Sequence, residues 1–114
     1  MNHSVEEHFD GKSRHVRVIY DTLLAVGREF GPVEEDPKKT SIHLNRRFAF
    51  AGVATRQRHL ILTVKATGDI DDTRIEKSER ASANRWYHYI KIGDPAEIDS
   101  KLIGWLRHSY EISG

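Results

Sequence analysis

The sequence contains no cysteine, and this absence removes several classes of chemistry at once. Disulfide bonds, thiol catalysis and cysteine-ligated zinc are excluded for this chain. No apolar run approaches the roughly 20 residues that a membrane-spanning helix needs. The opening stretch, MNHSVEEHFDGK, also lacks the apolar segment of a secretory signal. We therefore expect a cytoplasmic protein that has no membrane partner.

Familiar catalytic and cofactor-binding motifs are missing as well. The chain has no Walker loop, no GxGxxG fingerprint and no GxSxG nucleophile elbow. Its seven histidines show no HExxH or His-x-His spacing. The acidic loop around Asp69 lacks the ligand pattern of a calcium loop. We expect no metal and no cofactor, and we assign no catalytic residue.

Length and composition indicate a single domain covering residues 1–114. With 38% hydrophobic and 31% charged residues, the chain is typical of a soluble globular protein and unlike a disordered one. A chain of 114 residues can build a core without disulfides or metals. No repeat or low-complexity segment suggests a second unit.

Helical patterns occupy both ends of the chain. A capping-box pattern at residues 4–7 predicts a short N-terminal helix. From Arg14 to Phe30, apolar residues at helical spacing form one stripe. Gly27, beside that stripe, would let the helix approach a sheet closely. Asp94, followed by Pro95 at a first helical position, predicts the start of the last helix.

Between these helices the apolar period changes to two, which indicates β-strands. Strand patterns cover residues 42–44, 48–53, 59–66 and 85–92. Residues 74–80 fit either an exposed strand or a helical turn, and we favour a strand. Residues 33–37 form a short connection that allows an edge strand. The order predicts an α+β fold, an antiparallel sheet of four to six strands with the N-terminal and C-terminal helices packed on one face.

Alternation sorts the strand residues onto two faces. An apolar set should meet the helices: Ile42, Leu44, Phe48, Phe50, Leu60, Leu62, Val64, Trp86, Ile90 and Ile92. The opposite set is small, polar, aromatic and cationic: Ser41, His43, Ala49, Ala51, His59, Thr63, Lys65, Arg85, Tyr87, Tyr89 and Lys91. Such a face can bind a ligand through cations and tyrosine rings, and it is also typical of an ordinary solvated sheet.

The charge is divided unevenly along the chain. The segment from Lys38 to Ala66 carries seven Lys or Arg and no Asp or Glu, so the remainder of this net +1 chain carries −6. The basic strands are either neutralised by acidic helices or available to an anion. The candidate ligand-binding residues are Lys39, Thr40, Ser41, His43, Arg46, Arg47, Arg58 and Arg85.

Several segments together resemble a known family: VEEHFDGK, PKKTSIHLNRRFAFAGV, RHLILTV, ANRWYHYIKI and DPAEIDSKLIGWLRHSY. From about Val5 to Tyr110, the chain resembles the bacterial family named domain of unknown function 5655. The resemblance implies a compact α+β domain and supplies no catalytic residues. Its KKTSIH and NRW runs direct attention to Lys39, Thr40, Ser41, Arg85 and Trp86.

Three functional hypotheses follow. The first is a non-enzymatic binding or accessory module whose basic sheet region holds an anionic ligand or nucleic acid. The alternative is a small enzyme for a phosphate- or carboxylate-bearing substrate, with His43 or His59 as acid/base near Lys39 and Ser41. The third is homodimer formation through a strand edge.

Overall fold

The computed structural model describes residues 2–114, and within this range the chain forms two α-helices, six strands and two short 3₁₀ turns. The helices are α1 (Arg14–Phe30) and α2 (Ser100–Glu111). The strands are β1 (Glu34–Pro37), β2 (Ile42–Asn45), β3 (Ala49–Thr55), β4 (Leu60–Ala66), β5 (Ile75–Ser82) and β6 (Arg85–Ile92). The 3₁₀ turns are Glu6–His8 and Pro95–Glu97. Within residues 2–114, no helix is both long and apolar enough to cross a bilayer.

The strands form one sheet in the order β1-β2-β3-β4-β6-β5, with every neighbouring pair antiparallel. The first four strands are a meander, and the β5–β6 hairpin adds β6 beside β4 and leaves β5 at an edge. Both helices bury their apolar stripes in one core with the sheet, where Leu23 of α1, Leu106 of α2 and Leu62 of β4 are fully buried. The predicted α+β fold is confirmed.

The N-terminal segment is fastened to one end of the sheet. Ser4 and Glu7 exchange the predicted capping-box bonds, each 3.2 Å long, although the segment forms only one 3₁₀ turn. The His8 Nε2 atom donates to the Lys38 carbonyl at 2.7 Å. The Thr55 hydroxyl donates to the His8 carbonyl at 2.5 Å. These bonds join the segment to the β1–β2 turn and to the end of β3.

Helix α1 approaches the sheet closely at Gly27, as predicted. A Cβ atom at this buried position would lie 3.3 Å from the Cζ atom of the Phe50 ring. Further along the interface, the fully buried Tyr20 donates its hydroxyl proton to Glu35 of β1 at 2.5 Å. Burial, and then the Glu35 carboxylate, raise the pKa of Tyr20. A missing side chain and one charge-assisted hydrogen bond thus set how α1 lies on the sheet.

A β-bulge changes the predicted faces at the start of β3. The register between β2 and β3 shifts after Leu44, which pairs with Ala51, and Phe50 is left as an extra residue. Phe50 therefore turns towards the helices and is buried. Ala51, which alternation placed on the opposite face, also lies in the core, whereas Phe48, expected in the core, is 58% exposed. One inserted residue is enough to reverse the alternation.

Ser109 of α2 completes the hydrogen bonding beside this bulge. Its fully buried hydroxyl donates to the Phe50 carbonyl at 2.5 Å and accepts from the Lys65 amide at 2.9 Å. These backbone groups lie one residue beyond the last β3–β4 pair, Ala51 with Val64. The helix thereby satisfies two groups that the strands do not pair with each other.

The last helix starts later than predicted. Asp94 does cap a turn, accepting from the Ala96 amide at 2.8 Å, but this turn is the 3₁₀ segment. The backbone of Ile98 has a ψ of 74°, which is not helical, so Ile98 separates the 3₁₀ turn from α2. Asp99 then provides a second cap by accepting from the Leu102 amide at 3.0 Å. Two caps in succession replace the single start that the sequence indicated.

Arg74 and Asp72 connect the loop before β5 to α2. The Arg74 guanidinium donates to Asp72 at 3.2 Å and to Asp99 at 3.1 Å, and it lies 4.9 Å from the centre of the Trp105 ring. Lys101 of α2 contacts Asp72 at 3.0 Å. The Arg74 amide, then its guanidinium and Lys101, hold the pKa of Asp72 well below its usual range. The loop is therefore held by an ionised carboxylate.

Replacing Ser109 tests the connection between the helix layer and the sheet. We expect Ser109→Ala to lower the free energy of unfolding by about 2 kcal/mol, because two buried backbone groups lose their partner. Urea denaturation measures the change. The control is Ser100→Ala, at an exposed position on the same helix, which should change stability by less than about 0.5 kcal/mol. Equal effects of the two substitutions would contradict this role.

Acid should weaken the loop attachment at Asp72. The lowered pKa means that the folded chain keeps this carboxylate charged where the unfolded chain, with an aspartate pKa near 4, already binds a proton. The stabilisation is therefore present above about pH 4 and is lost as the pH falls below it. We expect Asp72→Asn to lower stability at pH 7 and to flatten the acid limb of a stability–pH curve. An acid limb that is identical in both chains would refute this assignment.

Candidate functional site

The sheet face turned away from the helices carries a groove of about 620 Å³. Small side chains of β3 and β4 form its floor: Gly52, Ala54 and Thr63. Polar side chains of β2 and the residue before it, and of β4, β5 and β6, line its sides: Ser41, His43, Lys65, Glu79, Arg80, Tyr87 and Tyr89. This is the face that alternation predicted to be small, polar, aromatic and cationic.

Gly52 keeps the middle of the groove open. The strand register places His43, Gly52, Thr63 and Tyr89 in one row across four strands. A Cβ atom at Gly52 would meet only the Thr63 side chain within 4 Å, at 3.7 Å from its Cβ. An isolated glycine inside a strand often marks a bulge or a close backbone approach. The bulge lies at Phe50 instead, and the missing side chain leaves space for a ligand.

The two tyrosines of β6 form one side of the groove. Tyr87 and Tyr89 point to the same face because they are two residues apart on a strand. The Tyr89 hydroxyl donates to the Glu79 carboxylate of β5, and this bond raises the pKa of Tyr89. The Lys77 ammonium lies 5.2 Å from the centre of the Tyr89 ring. The Tyr89 side chain is therefore held in place along one side of the groove, and the half-buried Tyr87 side chain lines the groove beside it.

Two neighbouring cations without a counterion lie near one end of the groove: Lys65 is part of its lining, and Arg85 lies beside Lys65, just outside the lining. Lys65 pairs with Tyr87 in the sheet, and Arg85 lies two residues before Tyr87 on the same face. Burial, and then the positive charge of Arg85, lower the pKa of Lys65. Within residues 2–114, neither cation joins a salt bridge, and the buried Arg85 Nε atom has no hydrogen-bond partner. An anion is the ligand that such a pair favours.

The structure distributes the sequence-predicted residues over three places. Two of them line the groove: Ser41 and His43. Three lie in the turns or loops at one end of the sheet: Lys39, Thr40 and Arg58. Three lie at the opposite end: Arg46, Arg47 and Arg85. The two ends are separated by the length of β4, about 20 Å. Because the turns of a meander alternate between its ends, cations close in the chain do not converge.

Arg46 has a structural partner of its own. Its guanidinium donates to the Tyr110 carbonyl at 3.1 Å and lies 4.6 Å from the centre of the Tyr110 ring. It therefore covers the carbonyl end of α2, where a positive charge is favourable. Its neighbour Arg47 lies beside the exposed Phe48 ring, 5.5 Å from its centre.

Self-neutralisation does not account for the basic segment. Lys38 contacts Asp36 at 2.9 Å, and the Asp36 carboxylate has a lowered pKa chiefly because of that contact. Among the other six cations of residues 38–66, none forms a salt bridge within the part of the chain that the structure describes.

The histidines do not assemble a metal or acid–base cluster. Fully buried His88 donates from Nε2 to the Gly68 carbonyl at 3.0 Å and accepts at Nδ1 from the Ser78 hydroxyl at 2.8 Å. His59 immediately precedes β4, outside the groove lining that contains His43, and burial lowers the pKa of His59. In residues 2–114, no three potential metal-ligating side chains are grouped together.

Comparison with known proteins gives a family without a known activity. Residues 5–113 match the family described as Domain of unknown function (DUF5655). The chain belongs to this family. The resemblance seen in the sequence is thereby confirmed over nearly the whole domain. No curated protein and no solved structure matches the DUF5655 chain, so its function has to be inferred from the groove.

Arg46 and Arg47 are adjacent in the chain, and their replacement tests whether Arg46 stabilises the end of α2. We expect Arg46→Ala to lower the free energy of unfolding by about 1 kcal/mol, because the end of α2 loses a hydrogen-bond donor and a cation–π contact. Arg47→Ala is the matched control and should change stability by less than about 0.5 kcal/mol. Thermal unfolding of both variants measures the difference. Indistinguishable unfolding curves would contradict the assignment of Arg46.

Proposed function

We propose that this DUF5655 domain is a non-enzymatic binding module that holds a small organic anion in the helix-free groove. The observation that carries the proposal is the half-buried pair of Lys65 and Arg85, which has no counterion within residues 2–114. The groove gives this pair an adjacent space, and the tyrosines give that space a surface for a flat ring.

Electrostatics favours an anion beside these cations. Side chains at diagonal positions on neighbouring strands start about 7–8 Å apart. The two positive charges repel each other, which is why Arg85 contributes, after burial, to the lowered pKa of Lys65. A phosphate or carboxylate between them replaces this repulsion with charge-assisted hydrogen bonds. The orphaned Arg85 Nε atom would gain its missing acceptor.

The rest of the groove suits a flat apolar or aromatic group. Its volume of about 620 Å³ lies in the range of small-molecule sites. The small floor residues leave room beside Tyr87, whose ring can stack on another ring. We therefore propose a ligand of mononucleotide size, with an anionic group at Lys65 and Arg85 and a ring against Tyr87.

A small ligand explains the geometry better than a long nucleic acid strand. The remaining basic residues lie at opposite ends of the sheet, and Arg46 is occupied at the end of α2. They do not make a continuous track along the groove. The enzymatic alternative has less support, because Lys39, Ser41 and His59 lie near the end of the sheet away from the two cations without a counterion, Lys65 and Arg85. We propose binding without catalysis.

Calorimetric titration can test this proposal with three probes, which are adenosine monophosphate, inorganic phosphate and adenosine. We expect the nucleotide to bind at least about tenfold more tightly than either part alone. Lys65→Ala and Arg85→Ala should each weaken nucleotide binding by roughly tenfold, because each removes a charge-assisted contact. The matched control is Lys91→Ala, an exposed lysine of the same strand face outside the groove lining, which should leave affinity unchanged.

Gly52→Val provides a test that does not alter charge. The position has an ordinary extended backbone and space for a Cβ atom, so a β-branched residue should preserve or raise stability. The added methyl groups should block the groove and weaken nucleotide binding. The proposal would be overturned if none of the probes showed saturable binding at millimolar concentration. It would also be overturned if Lys65→Ala, Arg85→Ala and Gly52→Val all left the affinity unchanged. Tighter binding of a thymidine octamer with a steep salt dependence would instead indicate nucleic acid.

A further inference from the structure

The edge of the sheet at β5 is long, exposed and regular in its centre. Seven of its eight residues are exposed, and it pairs only with β6 in the described sheet. Such an edge presents unpaired backbone N–H and C=O groups to any strand that can lie beside it. The other edge, β1, has four residues and ends in Pro37, which has no N–H to donate. The β5 edge is therefore the better site for strand addition.

We infer that this edge pairs with β5 of a second copy of the chain, antiparallel and centred on Ser78. The sequence from Glu76 to Arg80 reads Glu-Lys-Ser-Glu-Arg, in which the charges are complementary about its middle residue. Centring a two-fold axis on Ser78 places Lys77 opposite Glu79 of the second copy. The same axis brings Glu76, the bulge residue just before the regular segment, towards Arg80 of the second copy. Opposite charges directly across two strands are stabilising.

The charges also select this register over its neighbours. Shifting the pairing by one residue in one direction places Lys77 opposite Arg80, and shifting it in the other direction places Glu76 opposite Glu79. Both shifts put like charges across the strands, which is destabilising. The edge is thus complementary to itself in one antiparallel register. This charge complementarity identifies a second copy as the occupant.

The side chains needed for this contact are accessible. Lys77 and Glu79 are 63% and 49% exposed and lie 3.8 Å apart along the strand. Bulges at either side, between Ile75 and Lys77 and between Arg80 and Ser82, limit the regular segment to four residues. A contact of this length buries little surface, so the dimer should be weak and reversible.

Two complementary charge reversals test the inference without any ligand. The wild-type chain should change from monomer to dimer with rising concentration in sedimentation velocity experiments. Lys77→Glu makes both central edge charges negative, and Glu79→Lys makes both positive, so each variant alone should associate at least about tenfold more weakly. An equimolar mixture of the two variants restores both opposite-charge pairs and should form a heterodimer. Lys91→Glu, a reversal on β6 away from the edge, should associate like wild type.

Each outcome has a definite meaning. Recovery of the dimer in the mixture, after loss in each variant alone, supports pairing about Ser78. A wild-type chain that stays monomeric at millimolar concentration overturns the inference, and so does a dimer that survives both reversals or a mixture that stays monomeric. Circular dichroism establishes that each variant is folded, and Lys77→Glu alone remains a test if Glu79→Lys disturbs the bond from Tyr89. Failure here leaves the groove proposal intact, because that proposal rests on Lys65 and Arg85 and is measured as ligand binding, although Glu79 and Arg80 of β5 also line the groove.

Discussion

One buried hydroxyl, that of Ser109, connects the helix layer to the sheet where the β3–β4 ladder stops. It accepts a hydrogen bond from the Lys65 amide and donates one to the Phe50 carbonyl, so the bulge at Phe50 leaves neither group without a partner. The bulge in turn sends the Phe50 ring into the core. The same contact fixes the backbone of Lys65, whose side chain lies in the groove on the other face. Core packing and the candidate site therefore share one hydrogen-bonded junction.

Periodicity in the sequence was sufficient to predict the main elements and the layer order. The stripe from Arg14 to Phe30 matches α1, and the alternation in residues 59–66 and 85–92 matches β4 and β6 to within a residue. Alternation is a local rule, so it could not reveal the extra residue at Phe50 that exchanges the faces of β3. The split start of α2 was hidden because Asp94 and Asp99 both have capping chemistry, and the interruption lies in the backbone of Ile98.

The sequence was sufficient to predict which sheet face carries the candidate site. It did not reveal which side chains on that face lie close together. Period two correctly placed Thr63, Lys65, Tyr87 and Tyr89 together on the face away from the helices. Counting charge along the chain favoured the turn residues, although the turns of a meander lie at alternating ends. The proximity of Lys65 to Arg85 depends on β6 pairing with β4, a long-range contact that no local pattern encodes.

The contact between Gly27 and Phe50 limits how this family can diverge. A methyl group at position 27 would press on the aromatic ring at 3.3 Å, and that ring is held in place by the bulge. A bulkier helix residue requires either a shift of the Phe50 ring by a few tenths of an ångström or a smaller residue at position 50. The two positions should therefore covary among homologues.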